Sequence, residues 1–190
     1  MAFMELHFFS RALNVAVSVN VILPEAAQGI GVAAEAEAAP PKVLYLLHGY
    51  SDDHSIWMRR ASVERYAATK NLAVIMPAVN HSFYINEHQG ERYWDFVATE
   101  LPEAMQRFFR LSDRPEDTFV AGLSMGGYGA MRLALTYPGR YAAAAAFSGA
   151  LDIVRRIMDT ERQGAGGIRR IFEDPDSVQG SELDLFYLMK

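Results

Sequence analysis

Short apolar runs recur along the chain after residue 41, each bounded by polar residues or glycine. Four of them have a continuous apolar centre, which predicts strands buried on both faces of a parallel sheet. They are KVLYLLHG (42–49), NLAVIMP (71–77), DTFVAGLS (117–124) and YAAAAAFSG (141–149). The intervening segments predict helices over about 55–70, 94–110 and 125–136. This alternation predicts an α/β fold in which helices cover both faces of a mostly parallel sheet.

The first 41 residues follow a different pattern. From Met4 to Pro24 β-branched and aromatic residues dominate, which predicts two strands that turn near residues 11–14. The stretch 25–41 has few large apolar side chains and is interpreted as a solvated loop. A helix over 33–39 is the alternative, and the proline pair after it would end that helix.

The last 40 residues predict short helices. Residues 151–175 indicate two of them, separated by the glycines of Gly164–Gly167. A further helix is expected within 181–190, with Ser181 as its N-cap. We interpret the whole chain, residues 1–190, as one domain, since no repeat or linker divides it.

Composition removes several classes of function. The chain has no cysteine, which excludes disulfides, thiolate nucleophiles and cysteine-ligated metals. Its net charge of −5 and the lack of a basic cluster argue against nucleic acid as a partner. No apolar run approaches the ~18 residues of a membrane span, and the N-terminus is a poor signal peptide, so a cytoplasmic protein without a membrane partner is expected. The histidine spacings do not fit a metal site, and the sequence contains no phosphate-binding motif. Neither a metal nor a cofactor is therefore predicted.

A five-residue motif follows the third buried run. Gly122-Leu123-Ser124-Met125-Gly126 fits the G-x-S-x-G pattern of a nucleophile elbow, in which a serine occupies a sharp strand-to-helix turn. Side chains at the flanking positions would clash in such a turn, and glycine removes them. The turn would expose the Ser124 hydroxyl as a catalytic nucleophile and place the N–H of Met125 at a helix N-terminus, facing a developing oxyanion.

A second motif supports the first. His48 and Gly49 end the first buried run, where this arrangement supplies another oxyanion-binding N–H, which we assign to Tyr50. His48 has two interpretations. It could be the general base, but its place in the oxyanion motif favours a residue that shapes the loop through its ring nitrogens.

Aromatic residues cluster in the loops and are candidates for an apolar substrate pocket beside Ser124. For each one, ordinary loop packing is the alternative. The substrate-binding candidates are Trp57, Tyr84 and Trp94.

These residues together resemble a known family. The stretches VLYLLHGYSDDHSIW, TELPEAMQRFF, TFVAGLSMGGYGAMRLALTYP and AAAFSGALD are similar to the esterase D family of α/β-hydrolases, and most closely to bacterial tributyrin esterases. The resemblance implies the α/β-hydrolase fold and a cofactor-free serine esterase that cleaves short-chain carboxylic esters. Ser124 would form the acyl-enzyme, and the N–H groups of Tyr50 and Met125 would hold the oxyanion. A homo-oligomer is left open.

The family pattern has one departure. The family completes its triad with an aspartate after a later strand and a histidine after the last strand, but no histidine follows Ser124 in this sequence. A truncated chain, a non-catalytic binding protein and a substitute upstream histidine are the three explanations. Because YAAAAAF would become an exposed sheet edge, we expect a longer natural product, with roughly 50 to 90 further residues carrying the missing strands, the histidine and the aspartate.

Two expectations about activity follow. Without its base Ser124 is a poor nucleophile, so the 190-residue chain alone should be nearly inactive. For the complete protein, an S-formylglutathione hydrolase, which is a thioesterase with the same acyl chemistry, is the alternative to a tributyrin-type esterase.

Overall fold

This computed structural model describes residues 1–25, 27–29, 32–34, 39–162, 171–172 and 174–190. Eight strands lie in these residues, and six of them form one mixed sheet. The strands in chain order are β1 (Ala2–Ser10), β2 (Val15–Leu23), β3 (Ala27–Gly29), β4 (Val32–Ala34), β5 (Lys42–Leu47), β6 (Leu72–Pro77), β7 (Thr118–Leu123) and β8 (Ala143–Phe147). The sheet order is β1-β2-β6-β5-β7-β8, and β3 and β4 pair separately.

The sheet is parallel at the positions that the apolar runs predict. β5 pairs in parallel with β6 and β7, and β7 pairs in parallel with β8. β1 and β2 pair antiparallel, and β2 joins β6 antiparallel. The four parallel strands and the first two strands are therefore confirmed, but β8 is not buried on both faces, since its side chains are exposed or half-buried.

The helices flank this sheet. They are α1 (Ile56–Arg60), α2 (Val63–Ala67), α3 (Tyr93–Asp95), α4 (Leu101–Phe108), α5 (Met125–Thr136), α6 (Ile153–Arg162) and α7 (Leu185–Leu188), with 3-10 turns at Pro115–Asp117 and Pro175–Val178. Alternate side chains of β5 enter two different cores: Val43 and Tyr45 pack in the one that contains α4 and α5, and Leu46 packs in the one that contains α2. Helices thus cover both faces of the sheet.

A π-helical segment, Phe96–Glu100, connects α3 to α4, so one continuous helical stretch covers most of the predicted 94–110. Pro102 follows it in the first turn of α4 and has no N–H to give to the carbonyl of Ala98, four residues earlier. The guanidinium of Arg140 donates to that carbonyl instead. The proline therefore does not divide the helix.

Several local predictions are corrected. The helix predicted over about 55–70 is two short helices, because Ala61 at the end of α1 is extended. The stretch 25–41 is not only a loop: β3 and β4 lie in it, and β4 contradicts the alternative helix where the two overlap. The rest of that alternative helix, residues 35–38, lies outside the described residues.

The C-terminal predictions have mixed outcomes. α6 confirms the first short helix, whereas Gly164–Gly167 and most of the second lie outside the described residues. The N-cap of the last helix is Asp184 rather than Ser181, because the Asp184 carboxylate accepts the N–H of Phe186. In the part of the chain that the structure describes, no helix is both long and apolar enough to cross a membrane.

Candidate active site

Ser124 occupies the turn between β7 and α5 in a strained conformation. Its φ of 53° and ψ of −111° lie outside the regions that most residues adopt. The backbone around it is held on both sides: its N–H donates to the carbonyl of Phe147 over 2.9 Å, and its own carbonyl accepts the N–H of Ala150 over 3.0 Å. Ser124 is half-buried and lies at the carboxyl edge of the parallel strands, where the elbow motif predicts it.

The two flanking glycines are required by close backbone approach. A Cβ on Gly122 would lie 2.2 Å from the carbonyl carbon of Gly126. A Cβ on Gly126 would lie 2.4 Å from the carbonyl oxygen of Leu47 and 2.7 Å from that of His48. Glycine at these positions therefore lets α5 start directly against the end of β5.

The end of β5 also runs beside Ser124. A Cβ built on Gly49 would lie 3.8 Å from the Cβ of Ser124, so the backbone at Gly49, directly before Tyr50, passes next to the nucleophile candidate. Among the hydrogen bonds between described residues, none uses the N–H of Tyr50 or of Met125. Met125 is the first residue of α5, where the partial positive charge of the helix is concentrated. Both N–H groups are therefore available to an anionic atom at Ser124.

His48 shapes the β5 loop through both ring nitrogens. Its Nε2 accepts the N–H of Val79 over 3.0 Å, which leaves Nδ1 protonated to donate to the carbonyl of Gly49 over 2.7 Å. Burial is the main cause that lowers its pKa, so the ring is neutral at pH 7. Both nitrogens are engaged away from Ser124, and the interpretation of His48 as a loop-shaping residue is confirmed.

The remaining histidines have other contacts. His7 and His54 both lie near the carboxylate of Glu5, at 3.7 and 3.2 Å. The His81 ring stacks on that of Tyr50, with 4.3 Å between ring centroids. All five histidines are described, and no hydrogen bond joins any of their rings to the Ser124 hydroxyl.

The three aromatic candidates lie in different environments. Trp57 donates its indole N–H to the carbonyl of Leu47 over 3.2 Å, and its ring packs edge-on against Phe147. Leu47 and Phe147 end β5 and β8, the strands on either side of β7, so Trp57 lies at the same edge of the sheet as Ser124. It remains a substrate-binding candidate.

Tyr84 and Trp94 do not fit the substrate-binding prediction. Tyr84 is completely buried, and its hydroxyl donates to the carbonyl of His48 over 3.0 Å, so it has no surface to offer a ligand. Trp94 has the guanidinium of Arg132 3.7 Å from its ring centroid and stacks with Tyr137. Arg132 lies seven residues beyond Met125 in α5, about 10 Å along the helix, which places Trp94 away from the elbow.

The contact between α5 and the loop after β6 could not be predicted from the sequence. The N–H of Phe83 donates to the Sδ of Met125 over 3.3 Å, and Phe83 and Tyr84 both have positive φ. Because aromatic residues rarely adopt this conformation, no pattern of residues indicates it. Among the described residues, no group of three or more histidine and acidic side chains could hold a metal ion.

Comparisons with known proteins agree with this geometry. The profile of a family described as "Putative esterase" matches residues 10–177. An acetyl esterase from Caldicellulosiruptor saccharolyticus is 32% identical over 192 residues, which cover 97% of this chain and 72% of that protein.

Two solved structures from Staphylococcus aureus are similar throughout. The substrate-bound fluorophosphonate-binding serine hydrolase FphF is 37% identical, with a TM-score of 0.86 over 99% of this chain and 72% of its own. The S-formylglutathione hydrolase FrmB is 36% identical, with a TM-score of 0.80 over the same shares. The prediction of an α/β-hydrolase fold is confirmed.

Proposed function

Because this chain belongs to the putative esterase family and is a carboxylic ester hydrolase, we propose that it is a serine esterase whose nucleophile is Ser124. One observation carries the proposal. Ser124 is held in a strained turn at the end of β7, and Gly122 and Gly126 make room for that turn. Backbone strain of this kind persists at functional sites because the surrounding structure enforces it.

The proposed reaction is acyl transfer. The Oγ of Ser124 bonds to the ester carbonyl carbon while its proton passes to a general base, for which the family resemblance implies a histidine. The carbonyl oxygen becomes an oxyanion, to which the N–H groups of Tyr50 and Met125 donate. Collapse breaks the bond to the alcohol, which leaves with the proton from the base, and water then hydrolyses the acyl-enzyme in the same two steps.

We further propose short-chain esters, of the acetyl to butyryl class, as substrates. The acetyl esterase relative supports a small acyl group. Trp57 and Phe147 supply apolar surface near the end of β7, and the Phe147 side chain is half exposed. A tributyrin esterase of the esterase D type is the specific form that this proposal takes.

A fluorophosphonate probe tests the nucleophile, since it modifies only an activated serine. In the full-length protein we expect labelling of the peptide that contains Ser124, together with turnover of p-nitrophenyl butyrate. Ser124→Ala should abolish both, whereas Ser62→Ala, a change at an exposed serine that caps α2 without a side-chain hydrogen bond, should leave both unchanged. A protein that is folded but neither labelled nor active would instead be a binding protein on a hydrolase fold.

The second candidate is an S-formylglutathione hydrolase, which the similarity to FrmB favours. The acyl chemistry at Ser124 would be the same, and only the leaving group differs. Comparing kcat/KM for tributyrin and for S-formylglutathione separates the two functions. A clear preference for the thioester would replace the short-chain esterase proposal.

A further inference from the structure

The segment Val79–Tyr84, which follows β6, contacts the two backbone segments beside Ser124, namely the end of β5 and α5. Three of its residues have positive φ: Asn80 at 50°, Phe83 at 51° and Tyr84 at 56°. Asparagine tolerates this region, but Phe83 and Tyr84 disfavour it, so the surrounding contacts must stabilise their conformation. We call this segment the β6 loop.

The first set of contacts is with the end of β5. The hydroxyl of Tyr84 donates to the carbonyl of His48, and the N–H of Val79 donates to the His48 ring. His48 in turn donates to the carbonyl of Gly49. That carbonyl and the N–H of Tyr50 belong to one planar peptide unit, so holding the carbonyl also fixes the direction of the N–H.

The second set of contacts is with α5. The carbonyl of Tyr84 accepts a hydrogen bond from Arg132 over 3.3 Å. The Tyr84 ring lies so close to the helix that a Cβ on Gly129 would approach it to 2.7 Å. The N–H of Phe83 reaches the Met125 side chain, at the first residue of the helix. Tyr84 is therefore wedged between α5 and the end of β5.

We propose that Tyr84 is a positioning residue for the oxyanion site: its hydroxyl holds the His48 peptide against α5 and thereby sets the spacing between the N–H groups of Tyr50 and Met125. The inference rests on the proposed function of those two groups. Donors to an oxyanion are effective only when they are preorganised, and small displacements of such groups are costly to the rate. Burial raises the pKa of the Tyr84 hydroxyl well above its ordinary value, so it stays protonated and remains a donor at working pH.

The test is Tyr84→Phe, which removes the donor and keeps the ring. In the full-length protein we expect kcat for p-nitrophenyl butyrate to fall between about 10- and 100-fold, while KM stays within about 2-fold, because oxyanion contacts act in the transition state. Affinity for a short-chain alkyl trifluoromethyl ketone, which adds to the serine as a tetrahedral oxyanion, should fall by a similar factor.

The matched control is Tyr128→Phe. Tyr128 is also completely buried and also donates to a backbone carbonyl, that of Leu183, over 2.8 Å. A general structural effect of losing a buried hydroxyl would appear in both variants, whereas a positioning role lowers kcat only for Tyr84→Phe. Thermal unfolding of both variants measures the shared effect on stability.

A second variant disturbs the contact between Tyr84 and α5 by a change in the helix. Gly129→Ala should displace the Tyr84 ring without removing its hydroxyl, and kcat should again fall with KM nearly unchanged. If Tyr84→Phe has the kcat and ketone affinity of an active wild type, the positioning role is wrong and the proposed function stands. If the wild type is neither labelled by fluorophosphonate nor active, the proposed function fails first and the role of Tyr84 fails with it.

Discussion

At the residue scale, the space around Ser124 is set by backbone atoms, which cannot move aside as a flexible side chain can. The carbonyl oxygens of Leu47 and His48 meet α5 at Gly126. The His48 ring in turn accepts a hydrogen bond from the N–H of Val79 and donates one to the carbonyl of Gly49. Substitutions here therefore change both the fold and the site.

Gly126→Ala should strongly destabilise the protein. The new Cβ would lie 2.4 Å from the carbonyl oxygen of Leu47, so we expect the free energy of unfolding to fall by about 2 kcal/mol or more. Gly139→Ala is the matched control, because a Cβ there would meet nothing within 4 Å, and its effect should stay within about 0.5 kcal/mol. Urea unfolding of the two variants is the measurement, and equal stabilities would contradict this account of the elbow.

His48 should make stability depend on pH. Burial, more than any other cause, lowers its pKa in the folded state, although the nearby charges of Asp52 and Asp53 act in the opposite direction. The unfolded chain, with a histidine pKa of about 6.5, then binds more protons than the folded chain. The contribution of His48 to stability is complete above that pH and is lost as pH falls from about 6.5 towards the lowered folded pKa.

His48→Gln tests this pH dependence, because the amide oxygen can accept the Val79 N–H but does not titrate. Between pH 7 and 5 the variant should lose less stability per pH unit than the wild type, by at most about 1.4 kcal/mol per unit. Urea unfolding at several pH values measures the two slopes. Parallel slopes would show that His48 does not titrate in this range.

At the scale of elements, β8 is the least protected strand of the sheet. It pairs with β7 on one side and lies at the edge of the six-stranded sheet, with its side chains alternating between exposed and half-buried. Four of its five residues are alanine, and no charge or proline interrupts it. An apolar edge of this kind is a template for pairing with another chain.

We therefore expect the 190-residue chain to associate through β8. Ala145→Lys places a charge at an exposed position in the middle of the strand and should reduce light scattering and the larger species in size-exclusion chromatography. Ala61→Lys adds the same charge at an exposed position after α1 and should not. Equal association of the two variants would show that another surface is responsible.

At the scale of the whole molecule, the parallel strands bring the parts of the site together. Three strands, β5, β7 and β8, are neighbours in the sheet. The backbone at Tyr50 follows the carboxyl end of β5, Ser124 follows that of β7, and Phe147 ends β8. Among the hydrogen bonds between described residues, none joins a histidine ring to the Ser124 hydroxyl. The site therefore contains a nucleophile candidate and two N–H donors, without a histidine on the hydroxyl.

This arrangement predicts that the 190-residue chain by itself has almost no esterase activity. Loss of the base in a serine hydrolase costs about 10⁶-fold in kcat, so turnover of p-nitrophenyl acetate should be close to that of its Ser124→Ala variant. Fast turnover that depends on Ser124 would contradict the prediction. Substitution of His48, His54, His81 and His88 in turn would then identify the base.

The six strands of the main sheet, the strand-to-helix turn at Ser124 and the approach of the end of β5 to that turn could be predicted from local sequence. A continuous apolar run indicates a strand of a parallel sheet, although the edge strand β8 is not buried. A G-x-S-x-G turn needs glycine for reasons within about five residues. Local sequence does not separate Ser181 from Asp184, the observed N-cap of the last helix, since short polar residues at both positions suit a cap.

Only the tertiary structure decided what the aromatic residues do. The three candidates are all loop aromatics with a polar group, and the sequence does not distinguish them. In the structure, Trp57 lies at the same edge of the sheet as Ser124. Tyr84 is buried under α5, and Trp94 packs on Arg132. The reason is physical: a strand or a turn is specified by its own residues, whereas the partner of a loop side chain is set by segments that are distant in the chain. The sequence by itself therefore determined the fold class and the position of the nucleophile candidate, and the folded molecule determined which contacts hold that candidate in place.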